Sequence, residues 1–155
     1  MTEFKVWRTI VDWVEDNGGI VFAACPPGSS VYDYKKFCLI DPISKKRDEP
    51  DILFALGNTL YIIECKPTLS GSMNRGLKIN FEESDIDKLK RIYSILCNGN
   101  YNQQLKEIYG INLENYKVKI GIGYSETKND VILSDLEIVE IIVNENNKKI
   151  KIVGN

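Results

Sequence analysis

Pro50-Asp51-Ile52-Leu53-Phe54-Ala55-Leu56-Gly57-Asn58-Thr59-Leu60-Tyr61-Ile62-Ile63-Glu64-Cys65-Lys66 is the stretch on which the fold turns. Two runs rich in branched and aromatic residues, Asp51 to Leu56 and Thr59 to Lys66, flank Gly57-Asn58. A two-residue turn of that kind predicts a β-hairpin. Its register sets Leu56 against Thr59, Leu53 against Ile62 and Asp51 against Glu64. Side chains alternate across a strand, so Leu53, Ala55, Leu60 and Ile62 share one face, and Ile52, Phe54, Tyr61 and Ile63 the other. A hairpin apolar on both faces is expected at the centre of a sheet covered on both sides.

The charges lie at the hairpin's open end. Glu64 and Lys66 are two residues apart and point to the same face as Asp51. Opposed residues of an antiparallel pair have Cβ atoms ~4.5–5.5 Å apart, and like charges so placed destabilise a sheet. At the edge of a dry core their mutual energy is large. A divalent cation would compensate: Mg²⁺ takes one or two carboxylates, keeps waters and accepts phosphate oxygens. It can acidify a water and polarise a phosphoryl group, while Lys66 orients or deprotonates the attacking water and stabilises developing negative charge. The same three charges can also be read as an ion-pair cluster in which Lys66 neutralises two acids and does no chemistry.

Working outward, Thr2 to Asn17 predicts an amphipathic helix, with Val6, Trp7, Ile10, Val11 and Val14 at helical spacing, Thr2 as cap and Asn17-Gly18-Gly19 as stop. Ile20 to Cys25 predicts a buried strand ended by Pro26-Pro27-Gly28, and Val31 to Ile40 an extended segment. Asp41 to Glu49 predicts a polar loop, and Pro67 to Ile79 a mobile one. Asn80 with Glu83 resembles a capping box opening a helix whose stripe is Ile86, Leu89, Tyr93 and Leu96, ending near Asn98-Gly99. A short helix follows from Asn102 to Tyr109, closed by Gly110, then strands at Tyr116 to Tyr124, Leu136 to Val143 and Lys149 to Val153. Gly121 and Gly123 lie inside a strand with no helix after them, which suggests close packing rather than a nucleotide loop. The expected architecture is an α/β sandwich, a central mixed sheet flanked by helices, in one domain over residues 1–155.

Composition narrows the chemistry. The 155 residues are 43% hydrophobic and 27% charged, the balance of an ordinary soluble domain. No apolar run approaches the ~20 residues of a membrane helix, and Met1 to Lys5 does not open a secretion signal. Histidine is absent, which removes Ser-His-Asp and Cys-His hydrolysis and histidine-ligated zinc. Cys25, Cys38, Cys65 and Cys97 are scattered without zinc-knuckle spacing and are expected to be reduced thiols in a cytoplasmic protein. Cys65 should pack on the face opposite Glu64 and Lys66. The net charge of -2 makes a nucleic-acid partner a matter of local patches. Lys45-Lys46-Arg47, and Arg75 with Lys78, fit DNA-phosphate contacts and equally fit solvated loops. Ser70-Gly71-Ser72 is a weak candidate phosphate cradle.

Pro50-Asp51, twelve residues, then Glu64-Cys65-Lys66 resembles the P-D…(D/E)-X-K signature of the restriction-endonuclease-like superfamily. The hairpin, with the helix, glycine and strand of Val6 to Ser29 before it, is most similar to archaeal Holliday junction resolvases, over about the first two thirds of the chain. The resemblance implies a restriction-endonuclease-like fold. It also implies Mg²⁺, which Mn²⁺ can replace, held by Asp51, Glu64 and the Cys65 backbone carbonyl, with Lys66 catalytic. Two departures stand out. Where resolvases carry a metal-site glutamate on the first helix, this chain has Trp7; Glu3, one turn earlier on the same face, is the candidate substitute, although a first-turn acid is favourable anyway. The stretch from Ser29 to Glu49 is longer than in compact resolvases, more like the DNA-reading insertions of restriction enzymes, and contains Asp33 as a weaker candidate acid. The expected function is a Mg²⁺-dependent DNA endonuclease acting as a homodimer. The alternatives are a non-catalytic nucleic-acid-binding module and a nuclease subunit completed by a partner.

Overall fold

The structure is a computed structural model that describes residues 1–25, 34–67, 75–126 and 137–154, with the backbone alone for 75–84. Helix α1 spans Glu3–Asp16, and the Thr2 hydroxyl accepts from the Lys5 N–H at 3.2 Å, so the expected cap forms. Val6, Trp7, Ile10, Val11 and Val14 are all buried on its inner stripe.

The strands are β1 (Ile20–Ala24), β2 (Leu39–Ile40), β3 (Arg47–Asp48), β4 (Ile52–Leu56), β5 (Thr59–Cys65), β6 (Lys117–Ser125), β7 (Ile138–Val143) and β8 (Ile150–Val153). Six form one mixed sheet in the order β1-β4-β5-β6-β7-β8. The pairs β5–β6 and β6–β7 are parallel and the others antiparallel. Helices α2 (Arg75–Cys97) and α3 (Asn102–Tyr109) make the crossover between β5 and β6, which a parallel pair requires. Gly110 ends α3 at φ 70°, the left-handed conformation that glycine adopts freely.

The β4–β5 hairpin has the expected register, from Leu56–Thr59 to Ile52–Ile63. Its two apolar faces enter separate layers. Ile52, Phe54, Tyr61, Ile63 and Cys65 pack with α1; Leu53, Ala55, Leu60 and Ile62 pack with Leu89, Ile92 and Leu96 of α2 and with α3. Each fully buried Leu, Ile or Phe contributes about 1.5–3 kcal/mol, which makes this hairpin the hub of both layers. Close approach of α1 to β6 depends on Gly123, where a Cβ would lie 2.5 Å from Ile10 Cδ1.

Three expectations are corrected. Asp41 to Glu49 is not wholly a loop: β2 and β3 form a two-stranded ladder. Its turn is tied by Asp41, whose carboxylate accepts from Ile43 N–H and Ser44 Oγ, while Lys45 takes φ 64°. Helix α2 begins at Arg75, so Asn80 and Glu83 lie inside it rather than capping it. Arg75, Leu77 and Lys78 are good helix formers and extend the helix backwards. Tyr93 is exposed and Ile92 is buried in its place. Asp33, Ser70-Gly71-Ser72 and Leu136 lie outside the described residues. No described helix is long and apolar enough to cross a membrane.

Candidate metal centre at the open end of the hairpin

The regular ladder of β4 and β5 stops at Ile52–Ile63, one residue short of the expected Asp51–Glu64 opposition. Asp51 is instead gripped individually. Its N–H donates to the Ile63 carbonyl at 3.1 Å. Its carbonyl accepts from the Cys25 N–H at 2.9 Å and from the Trp7 indole N–H at 3.3 Å. Its carboxylate Oδ2 accepts from the Cys65 N–H at 2.7 Å. The parallel partner β6 fixes the other side, since the Lys66 N–H donates to the Gly123 carbonyl at 2.8 Å. Three strands and α1 thus converge on one corner of the sheet.

Electrostatics at this corner are strained. Burial is the main cause that pushes the Asp51 carboxyl up to about 7; the charges of Glu64 and Glu3 add to it, while the Cys65 N–H and Lys66 oppose it. Glu64 is only 5% exposed, and burial raises it too, against the pull of the Lys88 ammonium. Cys65 is fully buried on the α1 side, and burial holds its thiol far above the ordinary range, so it is not a nucleophile at neutral pH. Trp7 fills the position expected of a helix acid and spends its indole N–H on the Asp51 backbone. Glu3 lies within electrostatic reach of both Asp51 and Cys65.

Two residues that the sequence reading passed over complete the site. Both lie on α2. Asp85 Oδ2 lies 3.1 Å from Lys66 Nζ, and Lys88 Nζ lies 2.8 Å from Glu64 Oε1. One turn further on, Arg91 makes a two-pronged pair with buried Asp48, including Nη2 to Oδ1 at 2.8 Å. Asp85, Lys88 and Arg91 recur every three residues, so one stripe of α2 meets three charges of the sheet layer. The available signal was this i, i+3, i+6 charge pattern flanking the apolar stripe.

Lys45 and Lys46 are exposed, and Arg47 Nε pairs with Glu49 Oε1 at 2.8 Å. Arg75 and Lys78 belong to the start of α2 rather than to a loop, and their side chains lie outside the described residues.

The donor set suits a hard cation. Among the described residues no three His, Cys, Asp or Glu side chains already converge closely enough to hold a metal ion. Mg²⁺ commonly needs only one or two carboxylates, however, with water filling the other positions. Asp51 and Glu64, with the Cys65 backbone beside them, meet that requirement. Among the described residues Asp85 Oδ2 is buried without a hydrogen bond, and the Lys66 ammonium meets its charge at 3.1 Å.

No family model matches the chain, and neither a curated protein nor a solved structure matches it.

Proposed function

We propose that this chain is a Mg²⁺-dependent DNA endonuclease with a restriction-endonuclease-like fold, acting in the cytoplasm as a homodimer. The observation that carries the reading is the corner that gathers Asp51, Glu64 and Lys66, its acids pushed up chiefly by burial, with Glu64 adding to the rise of Asp51 and Asp85 to that of Glu64. Support also comes from the order of helix, strand, hairpin, helix and strands around a mixed sheet. The four free cysteines fit a reducing compartment.

Bound Mg²⁺ would supply Lewis-acid polarisation of a phosphoryl oxygen and acidify water. Asp51 and Glu64 would hold it through hard oxygens. Lys66 would orient the attacking water, or take its proton, and stabilise negative charge on the phosphoryl oxygens. Water adds to phosphorus, the bond to the 3′ oxygen breaks, and a 5′-phosphate and a 3′-hydroxyl result. Lys45, Lys46, Arg47, Arg75 and Lys78 are the proposed phosphate contacts on the flanks. No histidine is needed at any step.

One observation favours a second reading. Lys66 and Glu64 both already have ion-pair partners on α2, Asp85 and Lys88, as expected of a cluster that only fastens a helix to a sheet. A cleavage assay decides between them. Plasmid, linear duplex, single strand, RNA and four-way junction are incubated with the purified chain in Mg²⁺ and in chelator. The nuclease reading expects Mg²⁺-dependent cleavage of at least one DNA. It also expects Lys66→Ala to lower the rate by ~10²-fold or more while changing DNA binding far less. DNA binding without cleavage would favour a binding module. Parental turnover in Lys66→Ala would remove Lys66 from the chemistry.

A further inference from the structure

We propose that the β2–β3 ribbon is a wedge that enters duplex DNA: its apolar tip at Pro42 and Ile43 parts a base step while Lys45 and Lys46 hold the flanking phosphates. This role rests on the DNA-cleaving reading and deepens it, because a wedge selects DNA that is already poorly stacked.

The ribbon has two faces. Leu39 and Asp48 oppose each other across the ladder and are buried, whereas the next pair, Ile40 and Arg47, is exposed. On the inner side the ribbon is fastened to the helices. The Gln104 amide of α3 meets both the N–H and the carbonyl of Ile40, the Tyr109 hydroxyl accepts from the Cys38 N–H at 2.9 Å, and Arg91 of α2 pairs with Asp48. The turn is closed as firmly. The Asp41 N–H donates to the Lys46 carbonyl at 2.9 Å, and the Lys45 N–H donates to the Asp41 carbonyl at 2.8 Å. What this anchored turn presents to solvent is apolar. Ile43 is 78% exposed and Ile40 42%, two of the five large hydrophobic side chains exposed among the described residues, and Pro42 between them is exposed too. Single exposed apolar residues are ordinary, but a cluster at the tip of an anchored ribbon marks a contact surface. Lys45, Lys46 and Arg47 follow it directly and are exposed, so the partner has negative charge outside an apolar interior. Duplex DNA has that arrangement, phosphates outside stacked bases, and isoleucine and proline are among the side chains that part base steps.

The ribbon's place in the chain points the same way. Strand β3 runs through Glu49 and Pro50 into Asp51, so eight residues of chain, at most ~29 Å, lead from Ile43 to Asp51. That is less than one turn of duplex, ~34 Å, so one DNA segment can meet the tip and the hairpin corner together. Arg91, which holds the ribbon's base, lies on the same stripe of α2 as Lys88, which pairs with Glu64. The tip is thereby fixed relative to the corner. Parting a base step costs free energy, least where the bases are mismatched or the step is a flexible pyrimidine–purine one. The substrate class that follows is duplex DNA with an unpaired or weakly stacked site within one turn of the cut.

The test is binding of the purified full chain to duplexes of about 30 base pairs, roughly three helical turns. They are fully paired or centrally mismatched, and each carries a fluorescent base analogue that brightens when unstacked. Ca²⁺ replaces Mg²⁺, with chelator in parallel, and a gel confirms that the DNA stays whole. The parent should bind the mismatched duplex ~10-fold more tightly than the paired one and brighten the analogue. Ile43→Ser should bind both duplexes alike without brightening, whereas Ile43→Leu should keep the parental pattern. Lys45→Ala should weaken both duplexes equally and reduce the salt dependence of binding. Ile108→Ser, which removes an exposed isoleucine of α3 outside the ribbon, should match the parent. Melting curves show that each variant is folded. A parent without preference or brightening, or an Ile43→Ser chain that keeps both, overturns the proposal; Mg²⁺-dependent cleavage by the same chain leaves the nuclease reading standing. Ile43-dependent sedimentation with phosphatidylserine vesicles, with no effect on DNA, overturns it as well and assigns the tip to a lipid surface. A parent that neither binds nor cuts DNA overturns both.

Discussion

Asp51 costs the metal-free protein stability. Its carboxyl rises from 3.8 to about 7 in the fold, chiefly through burial and then through Glu64. The folded chain therefore holds this proton more tightly than the unfolded chain does. Stability must fall as pH rises through the window from about 4 to about 7, then level off, as far as Asp51 alone is concerned. Asparagine has nearly the same shape and keeps an oxygen to accept the Cys65 N–H, but carries no charge. Metal-free Asp51→Asn should be as stable as the parent at pH 8, or more stable by ~0.5–2 kcal/mol. Its decline between pH 5 and 8 should also be shallower, and Mg²⁺ should no longer stabilise it. Urea unfolding of both proteins at the two pH values, with Mg²⁺ and with chelator, reads all of this. A variant clearly less stable without metal, with an undiminished Mg²⁺ response, would transfer the corner to the structural reading.

At the scale of elements, β6 is the strand on which the layers close. Gly121 and Gly123 both lie on its α1 side, yet they tolerate a methyl group differently. A Cβ at Gly121 would lie 2.3 Å from the Val139 carbonyl oxygen, which is held in the neighbouring ladder. A Cβ at Gly123 would meet the Cδ1 end of Ile10 at 2.5 Å, and that side chain can rotate. Gly121→Ala should cost ~3 kcal/mol or more and Gly123→Ala ~1 kcal/mol, measured by chemical denaturation. Equal costs would show that the Ile10 side chain yields no more readily than the β6–β7 ladder. These elements also show what the sequence makes legible. Hairpin, α1 and the strands of the six-stranded sheet were readable because period and turn chemistry are local properties, whereas the two-residue strands β2 and β3 are too short to show a period. The start of α2 was misplaced because Asn80 and Glu83 mimic a cap while Arg75 to Ile79 can be helical as well as loop. Asp85 and Lys88 went unread for a different reason. A polar residue on a helix face gives no sign of which strand it will meet, and that is fixed only when α2 docks on Leu53, Leu60 and Ile62.

For the whole molecule, the distribution of charge matters more than its total. The chain as a whole carries a formal charge of -2, and at one corner its described core buries Asp51 and Glu64, both carboxyls pushed up chiefly by burial. Asp48 is equally buried, and Arg91 meets it with two hydrogen bonds. In the proposed reading, two buried carboxylates whose charged forms are disfavoured by desolvation are expected to gain stability from a divalent ion. The unfolded chain separates Asp51 from Glu64 and has no comparable site, so binding stabilises the folded state alone. At one hundred times the dissociation constant the gain is about 2.7 kcal/mol. For a chain of this length that corresponds to a rise in melting temperature of about 5–10 °C. Melting curves over a Mg²⁺ series should rise with the logarithm of ion concentration above the dissociation constant and return to baseline in chelator. Ca²⁺ and Mn²⁺ should act in the same direction, and a monovalent salt at equal ionic strength should not. A flat series, together with DNA cleavage that survives excess chelator, would mean that the corner binds no ion and that the chemistry lies elsewhere on the molecule.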